Sequence, residues 1–263
     1  MCSYFRIKRI RMNIKNQGFI TLAPGVLLAD NAEGNDIIEV DGVQYNRFMD
    51  GFYIDRSTAE LTTEQVFALC RSRSENPNLV SNGPGNEQVK SIISSYILAK
   101  NPSTLLELGA GIEPTLTHKA DDSIYIISDA DDIVVQQNSE LGRECSHFGK
   151  GLPLLFDDNF FDLIFAVFVF HFSIYQDQIQ EISRCLKTDG VLIANVYLLD
   201  TNERAILEKK FRDEGLISLR ISDPMSSCKN NEYWLFSFSE ETLDLNNTIF
   251  QKILASTVSK KNS

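Results

Sequence analysis

From Thr104 onward the chain repeats one rhythm: a short apolar run ending in polar or glycine-rich residues, then a stretch with apolar residues at helical spacing. This pattern predicts strands over 104–108, 124–128, 163–168 and 191–196, with a weaker one over 145–148. It places helices over 131–141, 173–186 and 201–214. Parallel strands need right-handed crossovers, so these elements predict a doubly wound α/β sheet, Rossmann-like, with helices on both faces. The runs 216–221 and 233–238 alternate like strands with no helix between them, so the last strand should be antiparallel in an otherwise mostly parallel sheet.

Ahead of this region, Val89, Ile92, Ile93, Tyr96 and Ile97 form a helical stripe after the breaker run Asn82-Gly83-Pro84-Gly85. Thr62-Thr63-Glu64-Gln65 is a capping-box pattern that starts an earlier helix reaching about Arg73. Residues 16–56 differ: short β-like pieces (19–22, 26–28, 37–40, 44–48 and 52–54) alternate with turns at Gly34, Gly42 and Gly51. They predict a small β-rich N-terminal lobe or lid. Three regions follow: a basic segment 1–15, a lid or substrate lobe 16–80, and a ligand-binding domain 81–263.

Charge narrows the partners. The net charge is −11, and Arg6, Lys8, Arg9, Arg11 and Lys15 give the first fifteen residues +5, which leaves −16 on the rest. Nucleic-acid affinity comes mostly from Lys and Arg neutralising phosphates, so an acidic body argues against a nucleic-acid partner and for a cationic one. The five cysteines include no C-x-x-C pair, so no zinc site, other metal site or disulfide framework is expected. The longest apolar stretch, near 163–172, is too short to span a bilayer, and the basic start lacks a signal peptide's hydrophobic region. A cytoplasmic protein without membrane association is the expectation.

The chemistry concentrates in Leu105-Leu106-Glu107-Leu108-Gly109-Ala110-Gly111-Ile112-Glu113-Pro114. An apolar strand runs into Gly-x-Gly where the chain should turn into a helix, and the carboxyl ends of such strands are where open α/β sheets bind ligands. The third glycine of the dinucleotide-phosphate fingerprint is absent, and Glu107 would repel a pyrophosphate while suiting an ammonium. The second predicted strand ends in Asp129, about twenty residues past the glycines, where an acid accepts hydrogen bonds from a ribose diol. Two acids and two glycines in this arrangement describe a nucleoside with a cationic amino-acid tail and no phosphates, namely S-adenosylmethionine.

These residues resemble the class I S-adenosylmethionine-dependent methyltransferases over roughly 85–200. The likeness also rests on the segment from Leu154 through Asp157, Asp158, Phe161 and Asp162 to Ala166, on His171 beyond it, and on the run from Glu181 through Leu186 and Gly190 to Ile193. By resemblance, Glu107 would hold the methionine ammonium, often through water, and Gly109, Ala110 and Gly111 would pass under the cofactor. Asp129 would take the ribose hydroxyls, the adjacent Ala130 would also border the cofactor, and Ala166 would present its backbone near the methionine part. Two departures stand out. Glu113 occupies the third glycine position, which implies a looser turn. The acid that commonly meets the adenine amine aligns with Lys150 and Gly151, so backbone at Gly151 or Leu152, or another side chain, must hold adenine.

His171 and Tyr197 fall where the family binds its methyl acceptor, and both also suit a plain packing role. Asp162 begins its strand at the end remote from the cofactor and reads as structural. The leading expectation is a methyltransferase of a small molecule or short peptide, N-methylating a cationic amine as natural-product tailoring enzymes do. Phe19, Tyr45, Phe48, Phe52 and Tyr53 could line a tunnel or form the lobe's own core. One alternative is an RNA-base methyltransferase, because Glu39 to Tyr45 faintly resembles half of a zinc ribbon without its cysteines. Another is a cofactor-binding regulatory protein without turnover.

Overall fold

In a computed structural model the described residues are 18–29, 35–49, 51–75, 84–116 and 122–261. The basic segment 1–15, Gly34, and the breaker residues Asn82 and Gly83 lie outside them. The chain divides into two compact units, 1–81 and 82–263.

The first unit is an antiparallel sheet of β1 (Phe19–Ala23), β2 (Val26–Ala29), β3 (Ile37–Val40), β4 (Val43–Met49) and β5 (Phe52–Ile54), in the order β1-β2-β5-β4-β3. Helix α1 (Thr63–Glu75) follows. Its start is the expected capping box: Gln65 N–H donates to Thr62 Oγ1 (3.3 Å) and Thr62 N–H to Gln65 Oε1 (2.8 Å). Leu27, Ala29, Ile38 and Tyr53 make a small core, with Phe19 and Tyr45 packed against it. Phe52 and Tyr53 are wholly buried, and Tyr53 belongs to this core.

The second unit begins with α2 (Pro84–Lys100) and continues β6 (Thr104–Leu108), β7 (Ile124–Asp129), α3 (Asp132–Glu140), β8 (Cys145–His147) and β9 (Phe161–Ala166). After these come α4 (Gln176–Cys185), β10 (Leu186–Val196), α5 (Thr201–Asp213), β11 (Ile217–Ser222), β12 (Glu232–Ser237) and α6 (Glu240–Lys261). The sheet order is β11-β12-β10-β9-β6-β7-β8. Strands β6 to β10 are parallel, and β12 runs antiparallel to both neighbours, β10 and β11. This is the mostly parallel, doubly wound sheet that the sequence pattern predicts.

Period-2 alternation assigns the two faces. Leu105, Leu163, Phe165, Val191, Ile193, Tyr233 and Leu235 face one core with the α2 stripe and with Leu243, Phe250 and Leu254 of α6. Residues one step along, such as Phe236, turn to the opposite side, where the Phe236 ring meets Phe211 of α5 at 4.2 Å. The sequence pattern assigns no element after 238, yet α6 is among the longest-range ties of the unit: Tyr96 Oη donates to Asn246 Oδ1 at 2.6 Å inside the core.

Several features differ from expectation, among them β10, which begins at Leu186, five residues before the expected start. Strand β9 starts at Phe161 and stops at Ala166, because Phe168 takes φ +59°, which no strand residue adopts. Helix α4 starts three residues later than the hydrophobic spacing suggests, since Gln178 Oε1 caps the Tyr175 N–H at 3.1 Å. Between β6 and β7 no helix occurs among the described residues, although the sequence pattern expects one after Gly111. No helix among the described residues is long and apolar enough to cross a membrane.

At the amino end of the sheet, Asp162 acts structurally. Its Oδ2 accepts from Thr104 N–H (2.9 Å), and its Oδ1 accepts from Lys187 Nζ (2.6 Å). Burial alone would raise its pKa, but the Lys187 ion pair and the Thr104 hydrogen bonds outweigh burial and hold the carboxyl below its ordinary value. Asp162→Asn should therefore lower stability by about 1–2 kcal/mol at pH 7, a figure discounted because Lys187 is partly exposed. A depressed folded pKa gives stability that is present above the unfolded value near ~4 and lost as pH falls through the folded value. Urea unfolding should show the two proteins converging at low pH; a gap that stays constant would remove the ion pair from the account.

Candidate functional site

The carboxyl ends of β6, β7, β9 and β10 lie side by side, with Leu108 opposite both Ser128 and Ala166, and Ala166 opposite Ala194. Above them the chain turns through Gly109 and Gly111, both left-handed at φ +61° and +62°. The two glycines are needed for different reasons. A Cβ on Gly109 would lie 2.8 Å from Val169 Cγ2, whereas a Cβ on Gly111 would meet nothing within 4 Å. Gly109 is thus a close approach between two protein segments, and Gly111 borders open space where a ligand can reach backbone.

The turn is held by groups around it. Ala110 N–H donates to Ser128 O (3.0 Å), and Gly111 N–H donates to Asp129 Oδ2 (3.0 Å). The buried Asn138 of α3 donates to Gly111 O (2.9 Å), and Arg143 donates to Ile112 O (2.7 Å). Asp129, half-buried at the end of β7, also accepts from Asp131 N–H through Oδ1 (3.0 Å). Burial raises the Asp129 pKa against the lowering effect of these backbone donors. A carboxylate has about four lone-pair sites, so two donors leave capacity for a diol. Ala130 is tied in through its carbonyl, 3.1 Å from His147 Nε2.

Glu107 is placed differently from Asp129. It is buried within the sheet, and its carboxylate accepts from Thr115 N–H (3.0 and 3.2 Å) and from the Tyr125 hydroxyl. Burial raises its pKa, opposed by the Tyr125 and Thr115 hydrogen bonds. Tyr125 is a partner that the apolar pattern of β7 conceals, because an aromatic in a strand signals packing before it signals a polar role.

Beyond β8 the Gly151 N–H donates to Asp177 Oδ2 (2.5 Å) and the Leu152 N–H to Gly149 O (3.0 Å). An adenine amine needs an acceptor, which these engaged N–H groups do not supply. Asp177, in the first turn of α4, brings a carboxylate to this loop and was not singled out by the sequence. Lys150 turns to the Tyr175 ring, with Nζ 4.4 Å from its centroid.

Past β9 and β10 the structure brings His171 and Tyr197 together. The Tyr197 hydroxyl is 3.3 Å from His171 Nε2, and His171 is fully buried while Tyr197 is half-buried. The Tyr197 ring also meets Phe168 edge-on at 5.2 Å. Phe168 is left-handed, and Asn195 Oδ1 accepts its N–H at 2.7 Å. Asn195 in turn donates to Asn231 Oδ1 (3.2 Å), and Asn231 donates to Asp223 Oδ2 (3.0 Å). A bulky residue at positive φ is a signature of a functional site, and sequence alone gives no warning of it.

An open turn at Gly111, a strand-end acid with acceptor capacity, and Ala166 opposite Leu108 fit a nucleoside carrying an amino-acid tail. A family model described as a methyltransferase domain matches residues 106–194, from within β6 to within β10. Among solved structures, a Burkholderia thailandensis 1,6-didemethyltoxoflavin-N1-methyltransferase is similar at 12% identity and TM-score 0.51, over 73% of this chain and 97% of that one. A SAM-dependent methyltransferase from Aquifex aeolicus matches at 15% identity and TM-score 0.43, over 56% and 86%. The YcgJ protein from Bacillus subtilis matches at 20% and 0.40, over 50% and 70%. No curated protein sequence matches the chain.

Asn195→Ala should destabilise the protein by about 1–3 kcal/mol for each buried group it orphans, the Phe168 N–H foremost. Chemical denaturation measures the loss. Unchanged stability would mean that Phe168 holds its backbone without this bond.

Proposed function

We propose that this chain, a class I S-adenosylmethionine-dependent methyltransferase, N-methylates a small molecule or short peptide, with a cationic amine as acceptor. The observation that supports a proton-accepting role is the Tyr197 hydroxyl 3.3 Å from His171 Nε2, at the same sheet edge as the glycine turn. The −16 outside the first fifteen residues supports a cationic acceptor, because acidic surroundings concentrate cations and repel polyanions.

In this reading Gly109, Ala110 and Gly111 carry the cofactor across the turn, and Asp129 accepts from the ribose diol. Ala130, Gly151 and Leu152 flank the adenine, with Asp177 the acidic group beside it, and Ala166 backs the methionine part. S-Adenosylmethionine supplies a sulfonium-activated methyl group, so little further activation is asked of the protein. Its tasks are to hold the amine in line at roughly 3–3.5 Å and to keep water out. The amine must shed a proton. In this reading the proton goes to Tyr197 Oη, which passes its own proton to His171 Nε2.

Incubation with S-adenosylmethionine and a panel of amines, against purified RNA, tests the reading. Methylated amine is expected, with kcat/KM falling as salt rises, because screening shortens the field to about 8 Å at physiological ionic strength. Removal of residues 1–15 should leave that activity intact. RNA methylated in place of amines points to an RNA-base enzyme; cofactor binding with no turnover points to a regulatory protein. Tyr197→Phe and His171→Asn should lower kcat by about 10²–10⁴ with unchanged affinity for S-adenosylhomocysteine, and an equal loss of affinity would move both residues into cofactor binding.

Asp129→Ala should weaken S-adenosylhomocysteine at least tenfold, since each hydrogen bond to a charged acceptor contributes about 1.5–3 kcal/mol. Calorimetry reads the affinity, and a thermal melt reads the separate cost of freeing Gly111 and Asp131. Unchanged affinity removes Asp129 from the site.

A further inference from the structure

We propose that Glu107 and Tyr125 form an internal latch that holds the 109–115 turn in its ligand-receiving shape, with Tyr125 as a positioning residue that touches no ligand. The inference rests on the reading that this turn carries S-adenosylmethionine.

Among the described residues no helix follows Gly111 before β7. Had a helix begun after Gly111, the Thr115 N–H would donate to Gly111 O, four residues back. Gly111 O instead accepts from Asn138, and the Thr115 N–H donates to both carboxylate oxygens of Glu107. The far end of the turn is thereby folded down onto the sheet, where Leu116 packs against the core that holds Leu105. Glu107 needs a second donor to remain there, because a buried carboxylate with few partners is costly. Tyr125 supplies it: its hydroxyl donates to Glu107 Oε2, and its ring stacks on Phe165 at 6.3 Å. Phe165 pairs directly with Glu107 across β6 and β9, so ring and carboxylate hold one another on a single face.

This arrangement explains Glu113. The third glycine of the fingerprint lets a helix pack closely on its strand. With Thr115 latched to Glu107 no such helix forms among the described residues, and Glu113 stands exposed. The carboxylate expected to meet the methionine ammonium thus engages the Thr115 N–H and the Tyr125 hydroxyl.

The test uses the full chain, Tyr125→Phe and Glu107→Leu, and two probes: S-adenosylhomocysteine, and 5′-methylthioadenosine, which lacks the amino-acid tail. Hydrogen exchange of the 109–116 amides is followed without ligand, and calorimetry gives both affinities. A latch predicts faster Thr115 exchange in both variants and an equal fall in affinity for both probes, about tenfold. If Glu107→Leu weakens only S-adenosylhomocysteine and leaves exchange unchanged, Glu107 is an ammonium ligand and the proposal is wrong. Unchanged exchange in Tyr125→Phe also overturns it, even where Glu107→Leu fails to fold. If the unaltered protein binds neither probe, the cofactor reading fails and the ligand part of the proposal with it, whereas the exchange result still reports on the latch.

Discussion

The left-handed turn at Gly109 and Gly111 is sustained by polar groups that reach it from three neighbouring segments. Ser128 and Asp129 come from β7, Asn138 and Arg143 from α3 and its exit, and Glu107 from β6 itself. The N–H and C=O groups of such a turn need partners from other segments, because buried ones left unpaired are expensive. The order of β6, β7 and α3 in space therefore depends on this set of bonds, and so does whatever the open side of Gly111 can receive. Gly109 adds the link to the other half of the site, since its lack of a side chain lets Val169 approach.

The opposite side of the site is organised by a second buried polar group. Arg204, wholly inside α5, donates to Leu199 O (3.1 Å), Val196 O (3.4 Å) and Asn230 O, and pairs with Glu232 at 2.6 Å. It fastens the end of β10 to the connection between β11 and β12. Because β12 runs antiparallel to β10, that connection returns to the carboxyl edge of the sheet, where Asn231 reaches Asn195 and Asn195 reaches Phe168. The last hairpin, the least Rossmann-like part of the sheet, thus sets the backbone beside Tyr197. A guanidinium with several fixed donors suits this task better than a flexible ammonium would.

Much of this architecture is legible in the chain. The parallel strands, the α2 stripe and the final antiparallel pair follow from periods of 2 and 3.6, because a buried sheet face and a helix stripe impose those periods on apolar residues. Asp129 and the two glycines are legible too, since position at a strand end and freedom at positive φ are local properties. Helix α6 left a weaker signal: its buried Asn246 and half-exposed flanks blur the stripe that Leu243, Phe250 and Leu254 make.

What the amino-acid sequence determined by itself is the alternation of elements, the sheet they imply, and the acid and glycine positions at one edge of it. What only the tertiary structure decided is which polar group meets which. Glu107 faces Tyr125 and Thr115 because β7 lies beside β6, and Phe168 is left-handed because Asn195 of β10 waits for its N–H. His171 and Tyr197 are 26 residues apart in the chain and touch across β9 and β10. Hydrophobic periodicity is written into neighbouring residues, whereas a hydrogen bond between strands depends on register and direction, which exist only once the sheet has formed.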